Sequence, residues 1–210
     1  MSKLQDVENA VVSGKSKLVA GLVQEALDAG CSAPDILNGM INAMGIVGER
    51  FKKNEIFVPE MLVAARAMKK GVDVLKPHLA SGSAGVCGKA IIGTVAGDLH
   101  DIGKNLVAMM IESAGFEVID LGVDVPVEKF IETVKANPDV KIVGCSALLT
   151  TTMPALKSTV EALNSEDFRS HIKVMVGGAP ITQEFADEIG ADAYTPDAAS
   201  AAQKAKELVA

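Results

Sequence analysis

Residues 89 to 114 read KAIIGTVAGDLHDIGKNLVAMMIESA. An apolar run, Ala90 to Ala96, leads into a polar, glycine-bounded turn and then into residues with helical spacing of apolar positions. The turn holds His100, one of only three histidines, between Asp98 and Asp101. Strand, turn and helix in that order are one half of a βαβ unit, so the neighbouring sequence decides the fold.

Downstream the same unit repeats. The apolar runs FEVIDLG (116–122), VKIVGCSA (140–147), IKVMVGG (172–178) and ADAY (191–194) follow one another. Helical patterns near residues 102–114, 127–136, 153–164, 181–189 and 197–209 separate or follow them. Continuous apolar strands alternating with helices predict a parallel sheet buried on both faces. Five units make an α/β, flavodoxin-like (Rossmann-like) doubly wound domain over residues 90–210. Ligands in that architecture bind outside the carboxyl ends of the strands, which is where His100 falls.

Upstream, residues 1–76 carry only helical periodicity. LQDVENAVV and SKLVAGLVQEALDAG give two helices, the second stopping at Gly30. Ser32 and Pro34 mark a third start and Pro59 a fourth, so a four-helix bundle is expected. The small, glycine-rich, aperiodic residues 77–89 form the expected linker.

Composition narrows the function. The net charge is −7 with no basic block, and aromatics make up 3% with no Trp and one Tyr, which disfavours nucleic acid as a partner. No signal-peptide core stands at the N-terminus, and no apolar run approaches the ~20 residues of a membrane span. A soluble, cytoplasmic protein without a membrane partner is expected. Cys31, Cys87 and Cys145 are odd in number and far apart, as expected of reduced structural thiols.

Phosphate-loop readings fail. Five residues separate Gly97 from Gly103 where that loop has four, and Asn105 replaces the hydroxyl residue after Lys104. His100 suits a metal instead, with Asp98 placed to orient its second ring nitrogen. No other histidine or cysteine is near, so the remaining ligands would come from a macrocycle. On the local sequence alone, a capping or turn histidine is the alternative.

The wider pattern is more specific. Asp98-x-His100-x-x-Gly103, 42 intervening residues, Ser146-x-Leu148, 28 more and Gly177-Gly178 resemble the cobalamin-binding signature of corrinoid proteins and cobalamin-dependent methionine synthase. GERFKKNEIFVPEMLVAARAM (48–68) is similar to the cap segment of small methyltransferase corrinoid proteins.

The resemblance implies the rest. The cofactor would be cobalamin or a related corrinoid, cycling between methylcob(III)alamin and cob(I)alamin, with its own benzimidazole displaced and His100 as the lower axial ligand of cobalt. Asp98 would accept a hydrogen bond from His100, and a hydroxyl of Ser146, Thr150 or Thr152 would contact Asp98. Gly97, Asp101, Ile102, Gly103, Ser146, Leu148, Thr150, Gly177, Gly178 and Tyr194, with Thr195 nearby, would line the cofactor site. Gly177-Gly178 would admit the nucleotide tail, with a tight strand-to-helix turn as the lesser alternative. On the fourth helix Met61, Ala65, Met68 and Val72 form the expected core stripe, while Val63 and Ala67 lie on a second face that would cover the corrin.

The function implied is a methyl carrier between a substrate-specific methyltransferase, acting on an N-methyl or O-methyl donor, and a second methyltransferase serving tetrahydrofolate or coenzyme M. A corrinoid reductive activase is a further implied partner, and residues 77–89 would be the hinge that moves the cap. The rivals are the cobalamin subunit of an adenosylcobalamin-dependent mutase, a cobalamin-dependent regulator, and a flavodoxin-like interaction domain that binds no corrinoid.

Overall fold

The computed structural model describes residues 2–79 and 87–210. Contacts divide the chain into two compact units. One runs to Cys87 and takes in Ser113–Gly115; the other holds Gly88–Glu112 and Phe116–Ala210.

The first unit contains four helices, α1 (Lys3–Val12), α2 (Ser16–Asp28), α3 (Ala33–Lys52) and α4 (Val58–Leu75). Their ends are chemically marked. The Ser2 hydroxyl accepts from Gln5 N–H, and the Ser32 hydroxyl accepts from Asp35 N–H, with Pro34 in the first turn of α3. At α4 the Glu60 carboxylate reaches back to accept from Phe57 N–H at 3.0 Å. Gly30, at φ +88°, turns the chain after α2. Val11, Val19, Val23, Ile36, Met40, Val47 and Met61 are buried. Helices pack closely at Gly71, where a Cβ would lie 2.5 Å from the Met40 methyl carbon and 2.9 Å from Val19 Cγ1.

The stripe of α4 is wider than the periodicity predicts. Met61, Ala65 and Met68 are buried as expected, Val72 is half-buried, and Ala64, Ala67, Gly71 and Leu75 join the buried set. Ala67 is therefore corrected: it is fully buried and presents no open face. Residues 64, 67 and 71 follow one another at three- and four-residue spacing and broaden the apolar stripe past 100°. Val63 stays 41% exposed, with one side against the turn at Gly14.

Of the expected linker, residues 80–86 lie outside the described residues. Lys76–His78 form a short 3-10 turn, and Gly88 and Lys89 already belong to a strand.

The second unit alternates β1 (Gly88–Val95), α5 (Ile102–Ser113), β2 (Phe116–Val125), α6 (Val127–Ala136), β3 (Val140–Ser146), α7 (Met153–Asn164), β4 (Lys173–Gly177), α8 (Gln183–Ile189), β5 (Ala193–Tyr194) and α9 (Ala198–Val209). All pairings are parallel, in the order β2-β1-β3-β4-β5. β1 is buried from Ala90 to Val95, as a strand covered on both faces must be. Ile91, Val143, Val174 and Phe130 centre the core, with Leu156, Val160 and Leu163 contributed by α7.

This order has a functional consequence. The chain leaves β1 towards β2 on one side and returns to β3 on the other, so the loops after β1 and β3 diverge and leave a crevice at the strand ends. Thr94 on β1 stands beside Ser146 on β3, and Ser146 beside Gly177 on β4. Three separated pieces of sequence thereby meet at one edge.

Candidate functional site

The loop after β1 carries the centre of the site. Asp98 is fully buried while the His100 side chain is 49% exposed. Asp98 Oδ1 lies 2.7 Å from His100 Nδ1 and accepts the His100 backbone N–H at 3.1 Å. The other oxygen, Oδ2, accepts from Leu148 N–H at 2.7 Å, Leu149 N–H at 3.4 Å and the Thr152 hydroxyl at 2.8 Å. The Thr152 backbone N–H donates to Leu149 C=O at 3.0 Å, within a 3-10 turn that precedes α7.

Burial alone would raise the Asp98 pKa. Hydrogen bonds from Leu148 N–H, the His100 ring, the Thr152 hydroxyl and His100 N–H outweigh it and hold the carboxyl well below the usual carboxylate range. An ionised carboxylate is an acceptor only, so His100 Nδ1 is the donor, which leaves Nε2 as the ring nitrogen that can bind a metal in the neutral imidazole. No described residue hydrogen-bonds to Nε2. The site therefore offers one oriented imidazole nitrogen at a half-open surface. Among the described residues no group of three or more His, Cys, Asp or Glu could hold a metal ion by itself.

Of the three hydroxyls considered for Asp98, the structure brings Thr152 to it. Ser146 is half-buried at the end of β3 and Thr150 is exposed; neither hydroxyl bonds to Asp98. Leu148 supplies its backbone N–H, while its side chain is 41% exposed. Asp101 accepts Asn105 N–H through its carbonyl at the start of α5, and its carboxylate accepts the Asn105 amide. Tyr194 is half-buried in β5 beside Val176.

The glycines have distinct roles. Gly97 needs its left-handed φ of +80°, and its N–H donates to Asp124 Oδ1 at 2.7 Å. Gly103 has nothing within 4 Å of where a Cβ would stand, so the turn there is open to close approach. At Gly178, φ is +133° and a Cβ would lie 1.8 Å from Ala147 C=O. Its neighbour Gly177 accepts Ala147 N–H at 3.1 Å. The glycine at 178 is thus demanded by the protein's own backbone, the tight-turn explanation, and the β3 and β4 ends pack against each other.

Several contributors carry no signal in a single sequence. Buried Thr94 donates to His100 C=O at 2.9 Å. Asp124, at φ +51°, accepts Gly97 N–H and donates its own N–H to Asp98 C=O at 2.9 Å. Lys104, 3% exposed, contacts both oxygens of Asp120 at 2.6 Å. Their side chains are ordinary polar residues until the turn closes around them.

These features suit a flat macrocycle. Leu99 (71% exposed), Ile102 (86%), Leu148 and Leu149 present large apolar side chains to the outside on the same two loops that hold His100. An apolar rim, an open glycine turn and a single aimed imidazole fit a corrinoid whose cobalt needs one protein ligand.

Comparison with known proteins decides the matter. The B12 binding domain family matches residues 88–204, and a second B12 binding domain family matches residues 4–76. The chain belongs to the B12-binding corrinoid proteins. It is 46% identical over 209 residues to the dimethylamine corrinoid protein of Methanosarcina barkeri, covering 99% of this chain and 97% of the relative. A corrinoid protein of Desulfitobacterium hafniense is 39% identical over 213 residues, covering 100% and 98%. Among solved structures, a cobalamin-binding protein from Desulfitobacterium hafniense superposes with a TM-score of 0.83 at 32% identity, covering 99% and 98%. The methanol:cobalamin methyltransferase complex of Methanosarcina barkeri superposes with 0.84 at 28% identity, covering 99% of this chain and 79% of that one. This corrinoid protein binds cobalamin or a related corrinoid. None of its described helices is long and apolar enough to cross a membrane.

Proposed function

We propose that this corrinoid protein is the methyl carrier of a methylamine methyltransferase system. It takes CH3 from a substrate-specific methyltransferase and presents it to a second methyltransferase that serves coenzyme M or tetrahydrofolate. The observation that carries the reading is the Asp98–His100 pair, a buried ionised carboxylate holding one imidazole so that Nε2 faces outward. When bound, the corrinoid supplies a cobalt centre that accepts and releases a methyl group.

The chain's own residues do the rest. His100 Nε2 would hold the corrinoid through its cobalt. Asp98 fixes the ring's tautomer and direction, and Leu148 N–H, Leu149 N–H and Thr152 keep Asp98 ionised and still. The exposed Leu99, Ile102, Leu148 and Leu149 would exclude water from the corrin edge. Gly97 and Gly103 keep side chains off the loop, and Ser146, Thr150, Gly177 and Tyr194 would line the crevice that takes the nucleotide tail. Domain boundaries at 76 and 90, with the helical unit as the cap domain and Val63 as its candidate residue, complete the proposal. A corrinoid reductive activase restores carriers that become oxidised.

Dimethylamine is the favoured donor. Curated relatives at 43–46% identity over nearly the whole chain are dimethylamine corrinoid proteins. The match of residues 4–76 to a B12 binding domain family favours a carrier over a mutase subunit or regulator.

The test is anaerobic reconstitution with hydroxocobalamin, for wild type and His100→Ala, followed by visible spectra with a dimethylamine methyltransferase and each acceptor system. Stoichiometric corrinoid with a histidine-dependent spectrum and turnover on dimethylamine is the expected result. A spectrum identical in His100→Ala removes His100 from the cobalt, and turnover on another donor alone reassigns the substrate.

A further inference from the structure

We propose that Lys104 is a positioning residue for His100, acting through a polar chain separate from Asp98. The inference rests on the reading of His100 as the lower axial ligand.

Lys104 is in the first turn of α5 and is almost fully buried. A buried ammonium is tolerated only when paired and fully hydrogen-bonded. Here three contacts match its three donors: Asp120 Oδ1 and Oδ2 and Asn105 Oδ1, each at 2.6 Å. Asn105 passes the constraint on, since its Nδ2 donates to Asp101 Oδ2 at 3.0 Å and its backbone N–H to Asp101 C=O at 2.7 Å. Asp101 directly follows His100. At the other end Asp120 belongs to β2, the edge strand, and also accepts Gly122 N–H at 2.9 Å. The chain Asp120, Lys104, Asn105, Asp101 therefore ties the residue after His100 to β2.

Asp98 ties the imidazole to the opposite side, to the loop after β3. Two anchors on two strands fix the direction of Nε2 more tightly than one. The chemistry of Lys104 suits this role better than a purely stabilising one. An apolar residue would fill the same buried path at least as favourably, whereas a charge hydrogen-bonded to both Asp120 and Asn105 sets direction.

The consequence is read at cobalt. With the Lys104 anchor cut, the loop keeps Asp98 but loses its hold on Asp101, and His100 ligates a smaller fraction of the cofactor. In cobalamin-loaded full-length protein, Lys104→Met lowers the ratio of histidine-ligated to histidine-free cob(II)alamin about 10-fold, the lower end of such outer-shell effects. The axial nitrogen splitting in the electron paramagnetic resonance spectrum measures that ratio. The Co(II)/Co(I) midpoint potential moves to less negative values, because a weaker axial donor stabilises Co(II) less. Asn105→Ala, at an exposed residue, cuts the same chain with Lys104–Asp120 intact and moves both readouts in the same direction. It decides the question where Lys104→Met does not fold. Leu163→Ala, a core change in α7, destabilises the unit without moving either readout. Unchanged splitting and potential in both variants, or an equal shift in Leu163→Ala, overturn the proposal. A wild-type spectrum without axial nitrogen splitting overturns the reading of His100 itself, which separates the two failures.

Discussion

Asp98 is the residue on which the site turns, because it is buried, charged and shared among five donor groups of four residues. Asp98→Asn swaps an acceptor-only group for an amide that no longer fixes the His100 tautomer, and corrinoid affinity falls roughly 10- to 100-fold in equilibrium titration. Thr152→Ala leaves Oδ2 short of one donor and costs about 1–2 kcal/mol in denaturant unfolding, which Thr152→Ser largely restores. The depressed Asp98 pKa has a defined sign. Its stabilisation is complete above the unfolded value of ~3.9 and drains away as the pH falls below it, so urea midpoints measured from pH 7 to pH 3 decline at the acid end. Asp98→Asn flattens that decline. Cys145 lies at the opposite extreme: burial in the sheet core pushes its thiol up to about 12, consistent with a structural residue.

At the scale of elements, the end of β4 is the tightest constraint. Gly178→Ala places a Cβ into Ala147 C=O and forces a left-handed backbone on alanine, so a loss of about 3 kcal/mol or more is expected by thermal or urea unfolding. Strands and helices were largely legible beforehand. Apolar runs at 116–122 and 172–178 became β2 and β4, and helical patterns at 127–136 and 153–164 coincide with α6 and α7. The four N-terminal helices were equally plain, since Ser32, Pro34 and Pro59 mark starts by local chemistry alone. Ala67 escaped the same reasoning. Helical spacing gives the direction of a side chain and leaves open how far neighbouring helices wrap around the stripe.

For the whole molecule, cofactor binding and folding are linked. A saturating corrinoid adds stability of RT ln(1 + [L]/Kd), about 2.7 kcal/mol at a hundredfold excess over Kd, so the α/β unit melts several degrees higher when loaded. His100→Ala loses most of that increment at equal corrinoid concentration, which differential scanning calorimetry checks. Only the fold brings the site together: Asp98 and Thr152 are 54 positions apart and share a hydrogen bond of 2.8 Å. The sequence by itself determined the alternation of strands and helices, the placement of His100 at a strand end and the corrinoid signature, because periodicity, caps and motif spacing are properties of the local chain. The tertiary structure alone decided that Thr152 is the hydroxyl on Asp98, that Gly178 answers to Ala147, and that Lys104 is buried against Asp120. Each of these depends on the crossover at β1 and β3, on the pairing of β3 with β4 or on the edge position of β2, and contacts across a sheet leave no mark at fixed spacing in the chain.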